Sequence, residues 1–331
     1  MNFTTLKYVG SVTALFVMSL LYNKYKKTEE LDEETKQYNL VRKYLLNHSS
    51  LAQSKKPILW IHMNYEINAR NWSSFGSRNS DELNQPYLYL TIKSIIDKCG
   101  ESFNICIIDD NSFSKIIPGW VIDLNMTSEP IKSKLRELAL ARLLYNYGGI
   151  LVPRSFICIQ NLHNLYKYGI NDSINGDVFI GEFIDHTVSS SQRQFSPNSK
   201  LMGCNKKSNV MAEYVQYLER LISTDFTNEH NFIGDNNKWF QEKKLMNKLK
   251  IIDASVIGMK DATGKMISID DLMSDKFINL SYLTLGVYIP EDELQKRTLY
   301  NWFPRLSTIQ VLESNTNIGK ILLTLHDNCI L

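Results

Sequence analysis

The sequence lacks the short motifs that identify several large classes of enzyme. It contains no GxSxG, no Walker A, no HExxH and no Rossmann glycine triplet. Residues 258–265 hold two glycines, but they do not have the spacing of a phosphate-binding loop and fit a hairpin turn better. The hydrolase, nucleotidase, metalloprotease and dinucleotide-binding chemistries that depend on these motifs are therefore poorly supported.

The sequence also lacks an excess of either charge and a cysteine pattern typical of a metal site or a disulfide framework. Lys and Arg total 37 against 35 Asp and Glu, so the formal net charge of +2 argues against a surface that neutralises nucleic-acid phosphates. We expect no nucleic-acid partner. The five cysteines have no CxxC spacing and an odd count, which predicts reduced thiols in the core and no structural zinc.

The amino terminus contains an uncharged apolar run, residues 8–22. It is shorter than the roughly 20 residues that span a bilayer, so a signal-peptide core or a buried helix stay open as alternatives to a membrane anchor. No small-x-small cleavage site precedes residues 23–27, which favours an uncleaved anchor. More lysines follow the run than precede it, which predicts a cytoplasmic main domain. We divide the chain into an anchor (1–27), a polar stalk helix (28–54) and one domain (55–331).

The domain begins with a pattern typical of a β-α-β unit. Residues 57–63 and 103–110 are short apolar runs, and residues 86–99 between them have helical periodicity. This order predicts an α/β fold in which the two strands are parallel. Ligands of such sheets bind at the carboxyl ends of the strands.

Polar side chains follow both predicted strands. His62 and Asn64 come at the end of the first, and Asp109 and Asp110 at the end of the second. Adjacent carboxylates there can bind a divalent cation or a ribose hydroxyl, but "DDNS" is equally good turn chemistry, and both interpretations stay open. A lone histidine such as His62 is more often a satisfied structural residue than a catalytic base.

A second helix, residues 131–147, leads through Gly148 and Gly149 into an apolar strand. Glycine can adopt the left-handed backbone conformation that ends a helix. Because it has no side chain, it also lets the following strand begin close to neighbouring backbone. Pro153 removes an amide donor in the middle of the apolar run, so it marks an edge, a bulge or the end of the strand.

This order of segments, with "ELALARLLYNYGGI" at its centre, resembles the sugar-binding DXD glycosyltransferases of the capsular-polysaccharide type. Their signature is an acid and an arginine on a helix, then Gly-Gly, an aromatic residue and Asp-x-Asp. The resemblance implies a GT-A-like, Rossmann-type mixed sheet sandwiched by helices. It also implies a nucleoside diphosphate sugar as ligand, held with a divalent cation by the Asp-x-Asp. The stretch "GGILVPRSFIC" further resembles a variant found in proteins of large DNA viruses.

Carried over residue by residue, the family's acid falls on Glu137 and its arginine on Leu140, while the two aspartates fall on Pro153 and Ser155. Proline and serine are poor ligands for Mg²⁺ or Mn²⁺, so no cofactor is assigned unless Asp109 or Asp110 replaces the lost ligands. Arg154 is instead suited to pair bidentately with a diphosphate. The predicted nucleotide-sugar-binding residues are His62, Asn64, Asp109, Asp110, Gly148, Gly149 and Arg154.

For catalysis we select Asp235, in the polar, loop-like segment 224–240. A carboxylate there could deprotonate the acceptor hydroxyl, with Trp239 stacking on a sugar. The alternative is a polar loop capped by a helix. The aromatics Tyr300, Trp302 and Phe303 could also stack on a sugar, although packing in a small core is the better interpretation.

Three hypotheses follow. The first is a membrane-anchored GT-A-like glycosyltransferase that works without the Asp-x-Asp. The second is a pseudoenzyme of the same fold, acting as a membrane-tethered binding module or as a scaffold in a virion or its assembly. The third, an ordinary α/β structural protein, does not explain the ordered match over several segments.

Overall fold

A computed structural model describes residues 56–63, 85–170, 177–184, 195–224 and 229–327 of the 331-residue chain. The predicted anchor and stalk lie outside the described residues, and no helix within the described part is long and apolar enough to cross a bilayer. Contacts divide the chain into two units, residues 1–55 with 114–122 and residues 56–113 with 123–331. Apart from residues 114–122, all described residues belong to the second unit.

The predicted β-α-β unit is confirmed. It consists of β1 (Ile58–His62), α1 (Tyr87–Cys99) and β2 (Asn104–Ile108). The two strands are parallel, with Ile58 opposite Asn104 and His62 opposite Ile108. The carboxyl ends of β1 and β2 therefore lie side by side, as the sequence pattern predicts.

Four more strands complete a six-stranded sheet of order β2-β1-β3-β6-β5-β7. They are β3 (Gly149–Leu151), β5 (Val178–Ile184), β6 (Phe195–Cys204) and β7 (Lys250–Ile252). β3 pairs with β1 in parallel, whereas β6 runs antiparallel to both β3 and β5. The sheet is thus mixed and flanked by helices, which agrees with the GT-A-like fold class.

The apolar run 150–159 does not form one strand. It divides into β3 and β4 (Phe156–Cys158), and β4 pairs with β8 (Gly286–Tyr288) in a separate two-stranded antiparallel sheet. Pro153 lies between the two strands and its carbonyl accepts the amide of Phe156 at 3.2 Å. The break is where the missing amide of proline predicts a strand end.

Ten α-helices lie within the described residues. The longest are α3 (Ile131–Tyr147), α5 (Asn209–Thr224) and α6 (Glu229–Leu245), and α3 packs against α5. The others are α2 (Phe113–Ile116), α4 (His163–Ile170), α7 (Ile269–Met273), α8 (Glu291–Lys296), α9 (Thr308–Leu312) and α10 (Asn317–Asp327).

α1 packs against two hydrophobic clusters. Its carboxyl half, with Ile95, joins the cluster that contains the inner strands, while its first turn, with Tyr87, joins a cluster built around β8 and the last helices. Both clusters are fully apolar at their centres, so burial of apolar surface accounts for most of their stability.

The helix-Gly-Gly-strand junction is confirmed. Gly148 ends α3 with φ 71°, and Gly149 begins β3 with φ 102°. A Cβ atom at Gly149 would lie 2.2 Å from the carbonyl oxygen of Ile58, so only glycine fits the contact between β3 and β1. Trp60 Nε1 donates to the Gly148 carbonyl at 2.9 Å, which fixes the junction against β1.

Three cysteines are buried free thiols, as predicted: Cys99, Cys158 and Cys204. Cys106 is a partly buried free thiol, and Cys329 lies outside the described residues. The sulfur atoms of Cys99 and Cys158 are 3.7 Å apart, as a hydrogen-bonded pair of thiols.

Candidate functional site

A cleft of about 280 Å³ opens at the carboxyl ends of β1 and β3. Its walls are formed by the residues that end β1, β3 and β8, one face of α3, the middle of β6, and helix α8. The α3 face presents Ser133, Arg136, Glu137 and Leu140, whose spacing of three or four residues places them on one side of the helix. This is the sheet edge at which the sequence predicts a ligand.

The first polar cluster of the cleft wall joins His62, Asp110 and Arg136. Arg136 donates to both oxygens of the Asp110 carboxylate, from Nε at 2.9 Å and from Nη2 at 2.7 Å. His62 Nε2 lies 3.0 Å from the same carboxylate, and its ring stacks on Phe113. Burial acts to raise the pKa of Asp110, but the hydrogen bonds from His62 and Arg136 outweigh burial and hold it well below its usual range.

Asp109 forms a turn. Its carboxylate accepts the amide of Ser112 at 2.8 Å and also the Ser112 hydroxyl, while Ser112 Oγ accepts the Asp109 amide at 3.2 Å. This is a capping box at the start of a 3₁₀ turn. Asp109 does not line the cleft. Of the two interpretations of "DDNS", the turn is the one that the geometry favours.

Arg154 lies between Pro153 and Ser155, the two positions on which the resemblance places the family's metal-binding aspartates. Its guanidinium is bidentate to Glu291 at the start of α8, with Nε to Oε2 at 2.9 Å and a second contact from Nη2 to Oε1. Thr91 Oγ1 donates to the Arg154 carbonyl at 2.6 Å. The buried Ser155 hydroxyl donates to the Ile289 carbonyl at 2.8 Å, so it points to the protein backbone and not to a ligand.

Lys200 on β6 adds a second cation close by. Its Nζ lies 3.0 Å from the Tyr288 hydroxyl and 3.0 Å from Asp292 Oδ2. The attraction of Lys200 is the main reason that the pKa of Asp292 is lowered, and Arg154 contributes to the same effect. The adjacent acids Glu291 and Asp292 thus hold two cations that come from different parts of the sheet.

Glu137 lies on the α3 face of the cleft. Its carboxylate accepts the Tyr214 hydroxyl at 2.7 Å and the Asn236 side-chain amide at 3.0 Å. Burial raises the pKa of Glu137, which the hydrogen bonds from Ser199 and Tyr214 only partly oppose. Unlike Glu291 and Asp292, it has no ion pair within the described ranges.

The carboxylates around the cleft do not fit the Mg²⁺ or Mn²⁺ that the family resemblance implies. The described part of the chain contains no group of three or more His, Cys, Asp or Glu side chains placed to hold a metal. Asp110, Glu291 and Asp292 are each bonded to a cationic side chain. A divalent ion would therefore have to displace a cationic side chain before it could bind any of these three carboxylates.

Only part of the predicted binding set comes together. His62 and Arg154 line the cleft, and Asp110 contacts it through His62. Gly148 and Gly149 lie at the amino end of β3, where they form the chain junction and do not line the cleft, so their assignment to ligand binding stays a prediction. Asn64 lies outside the described residues.

The loop interpretation around Asp235 is wrong, because helix α6 contains it. Asp235 is exposed, does not line the cleft, and accepts the Tyr217 hydroxyl only through its backbone carbonyl. Trp239 is buried against Tyr214, with ring centroids 4.9 Å apart, and cannot stack on a sugar. Phe303 is likewise buried, in contact with the Tyr87 ring, as the core-packing interpretation predicts.

Sequence reasoning missed Arg136, Lys200, Glu291 and Asp292. A signal for the two acids exists, since they follow the apolar residues 285–289 much as Asp109 and Asp110 follow β2. Arg136 precedes Glu137 in the helix that carries the family's acid. No local sequence pattern marks Lys200 as a cleft residue, because the pairing of β6 with β3 is what brings it to the cleft.

No protein-family model matches the chain, and no curated protein matches its sequence. Among solved structures, the chain is similar to a glycosyltransferase involved in the glycosylation of the major capsid of PBCV-1, at 8% identity and a TM-score of 0.40, over 71% of this chain and 95% of the other.

It is also similar to the glycosyltransferase GlyE of Streptococcus pneumoniae TIGR4, at 12% identity and a TM-score of 0.42, over 84% of this chain and 64% of the other. A third similar structure is the 4-diphosphocytidyl-2C-methyl-D-erythritol synthase of Anaerococcus prevotii, at 12% identity and a TM-score of 0.31, over 64% and 92%. Similarity at this level says nothing about the reaction of this chain.

Proposed function

We propose that this chain is a glycosyltransferase-like protein that binds a nucleoside diphosphate sugar in the cleft without a divalent metal. The observation that supports this most is the position of Arg154 and Lys200, which bring two cations to the strand end where the related family binds its metal. Guanidinium and ammonium groups are the protein's own means of holding phosphate oxygens.

In a transfer reaction these cations would stabilise the negative charge that develops on the diphosphate as its bond to the sugar breaks. Glu137 replaces Asp235 as the candidate general base, because it lines the cleft and its pKa is raised by burial. It would accept the proton of the acceptor hydroxyl while that oxygen forms the new bond to the sugar carbon. A Glu137→Gln variant should then bind the ligand but not transfer the sugar.

The second candidate is a binding module without transfer, attached to a membrane by residues 8–22 with its domain in the cytoplasm, or acting as a scaffold in a virion. One observation favours it: Arg136, Arg154 and Lys200 already have carboxylate partners, so the cleft has little excess positive charge to attract an anion.

Calorimetric titration of the full-length chain with UDP, GDP and their sugars, with and without Mn²⁺, tests the proposal. We expect binding that does not depend on Mn²⁺ and that weakens about tenfold or more in Arg154→Ala, the effect of losing charge-assisted hydrogen bonds. Arg142→Ala is the matched control, because Arg142 forms a similar pair with Glu219, at 2.6 Å, that does not line the cleft. Binding that requires Mn²⁺ would refute the proposal, and no binding would favour the scaffold.

A further inference from the structure

Two adjacent acids in the first turn of α8 neutralise the two cations that the proposed function assigns to the diphosphate. Glu291 holds Arg154, which follows β3, and Asp292 holds Lys200, which lies on β6. All four side chains line the same cleft. The short helix α8 therefore supplies the negative charge that a bound ligand would otherwise bring.

Carboxylates and phosphates compete for the same donors. The forked guanidinium of Arg154 bonds both oxygens of Glu291, so a phosphate can bond it in the same way only after Glu291 leaves. The Lys200 ammonium is shared between Asp292 and the Tyr288 hydroxyl, and a phosphate would take the place of Asp292. Anion binding at this site is thus an exchange of one anion for another.

We infer that Glu291 and Asp292 act as internal competitors for the two cations, so that a ligand with two linked phosphates binds in the cleft whereas a single phosphate or a neutral sugar does not. This inference rests on the proposed function. A single phosphate displaces one acid and leaves the other in place, whereas a diphosphate displaces both, its second exchange being intramolecular and so favoured by effective concentration. A neutral sugar displaces neither.

Titration with orthophosphate and pyrophosphate tests the inference on the full-length chain. We expect the wild-type protein to bind pyrophosphate at least about tenfold more tightly than orthophosphate. In the isosteric double variant Glu291→Gln, Asp292→Asn, orthophosphate should bind about tenfold more tightly, and pyrophosphate should gain at least as much because it no longer has to displace either acid. Glu293→Gln is the control, since it removes a charge from the same helix but releases Arg297, which does not line the cleft. It should raise both affinities slightly and equally.

The outcomes separate this inference from the proposed function. If the wild-type protein binds pyrophosphate but neither orthophosphate nor a nucleotide sugar, and the double variant binds both phosphates more tightly, the inference stands and the proposed function fails. If the wild-type protein binds nucleotide sugar but the double variant binds orthophosphate no better, or binds pyrophosphate more weakly, the inference is overturned and the function stands. If the double variant does not fold, Asp292→Asn alone provides the comparison, with an expected gain of about threefold for orthophosphate.

Discussion

The three ion pairs around the cleft have similar chemistry but differ in their access to water. The side chains of Asp110 and Arg136 are 11% and 14% exposed, and those of Glu291 and Arg154 are 13% and 11% exposed. Those of Asp292 and Lys200 are 70% and 41% exposed. Because desolvation determines what it costs to lose one partner of an ion pair, the same substitution should have very different effects at the three places.

The pairs also differ in origin. Asp110 follows β2 and meets a helix 26 residues later, whereas Arg154 and Glu291 are separated by 137 residues. The first pair belongs to the early β-α-β part of the sheet, and the other two connect α8 to it. On the proposed function, the Asp110 pair is mainly a part of the folded structure, and the two α8 pairs are the ones that a ligand would displace.

Asp110→Ala should have the largest effect on stability. It leaves the buried Arg136 guanidinium without its main partner, which typically costs about 3 to 5 kcal/mol. Urea denaturation of the full-length chain measures the loss. Asp275→Ala, at an exposed residue, should stay within about 0.5 kcal/mol.

The acid dependence of stability gives an independent check. The pKa of Asp110 is lowered in the folded protein, so its contribution is present above the unfolded pKa of about 4 and is lost as the pH falls below it. The wild-type protein should therefore lose stability below about pH 4 more steeply than Asp110→Asn. Equal slopes would show that Asp110 does not stabilise the fold in this way.

The Arg154–Glu291 pair should come second. A double-mutant cycle with Arg154→Met and Glu291→Gln should give a coupling energy of about 2 kcal/mol, because the pair is buried and bidentate. Unfolding free energies of the four proteins provide the measurement. A coupling near zero would mean that the Arg154–Glu291 pair does not help to hold α8 against the sheet.

Much of the fold was predictable, because it depends on periodic signals. The apolar runs of β1 and β2, the helical pattern of α3 and the two glycines after it each follow from local backbone and packing rules. The end of β3 at Pro153 follows from one missing amide. The β6 pairing that brings Lys200 to the cleft has no such local signal, since it depends on a contact between distant strands.

Less of the site was predictable, because the partners of its side chains lie far apart in the sequence. Nothing near Arg154 indicates that Glu291 bonds it. The helix around Asp235 was misread because Gly234 and the asparagines beside it are poor helix formers. Its buried Phe232, Asn236 and Trp239 nevertheless have helical spacing, and this stripe was a usable signal.

The Lys200–Asp292 pair should have the smallest effect on stability and so provides the sharpest test of the comparison. Because both side chains are partly in water, a cycle with Lys200→Met and Asp292→Asn should give a coupling energy below about 1 kcal/mol. The coupling energy of Lys200 and Asp292 should fall further as the salt concentration rises from about 0.05 to about 0.5 M, because the Debye length becomes shorter. The coupling energy of Arg154 and Glu291 should change little, because buried pairs are screened less. If the exposed pair proved as strongly coupled and as insensitive to salt as the buried one, exposure would not be what distinguishes them. Asp292 would then resist displacement as strongly as Glu291, and both exchanges would cost a ligand the same.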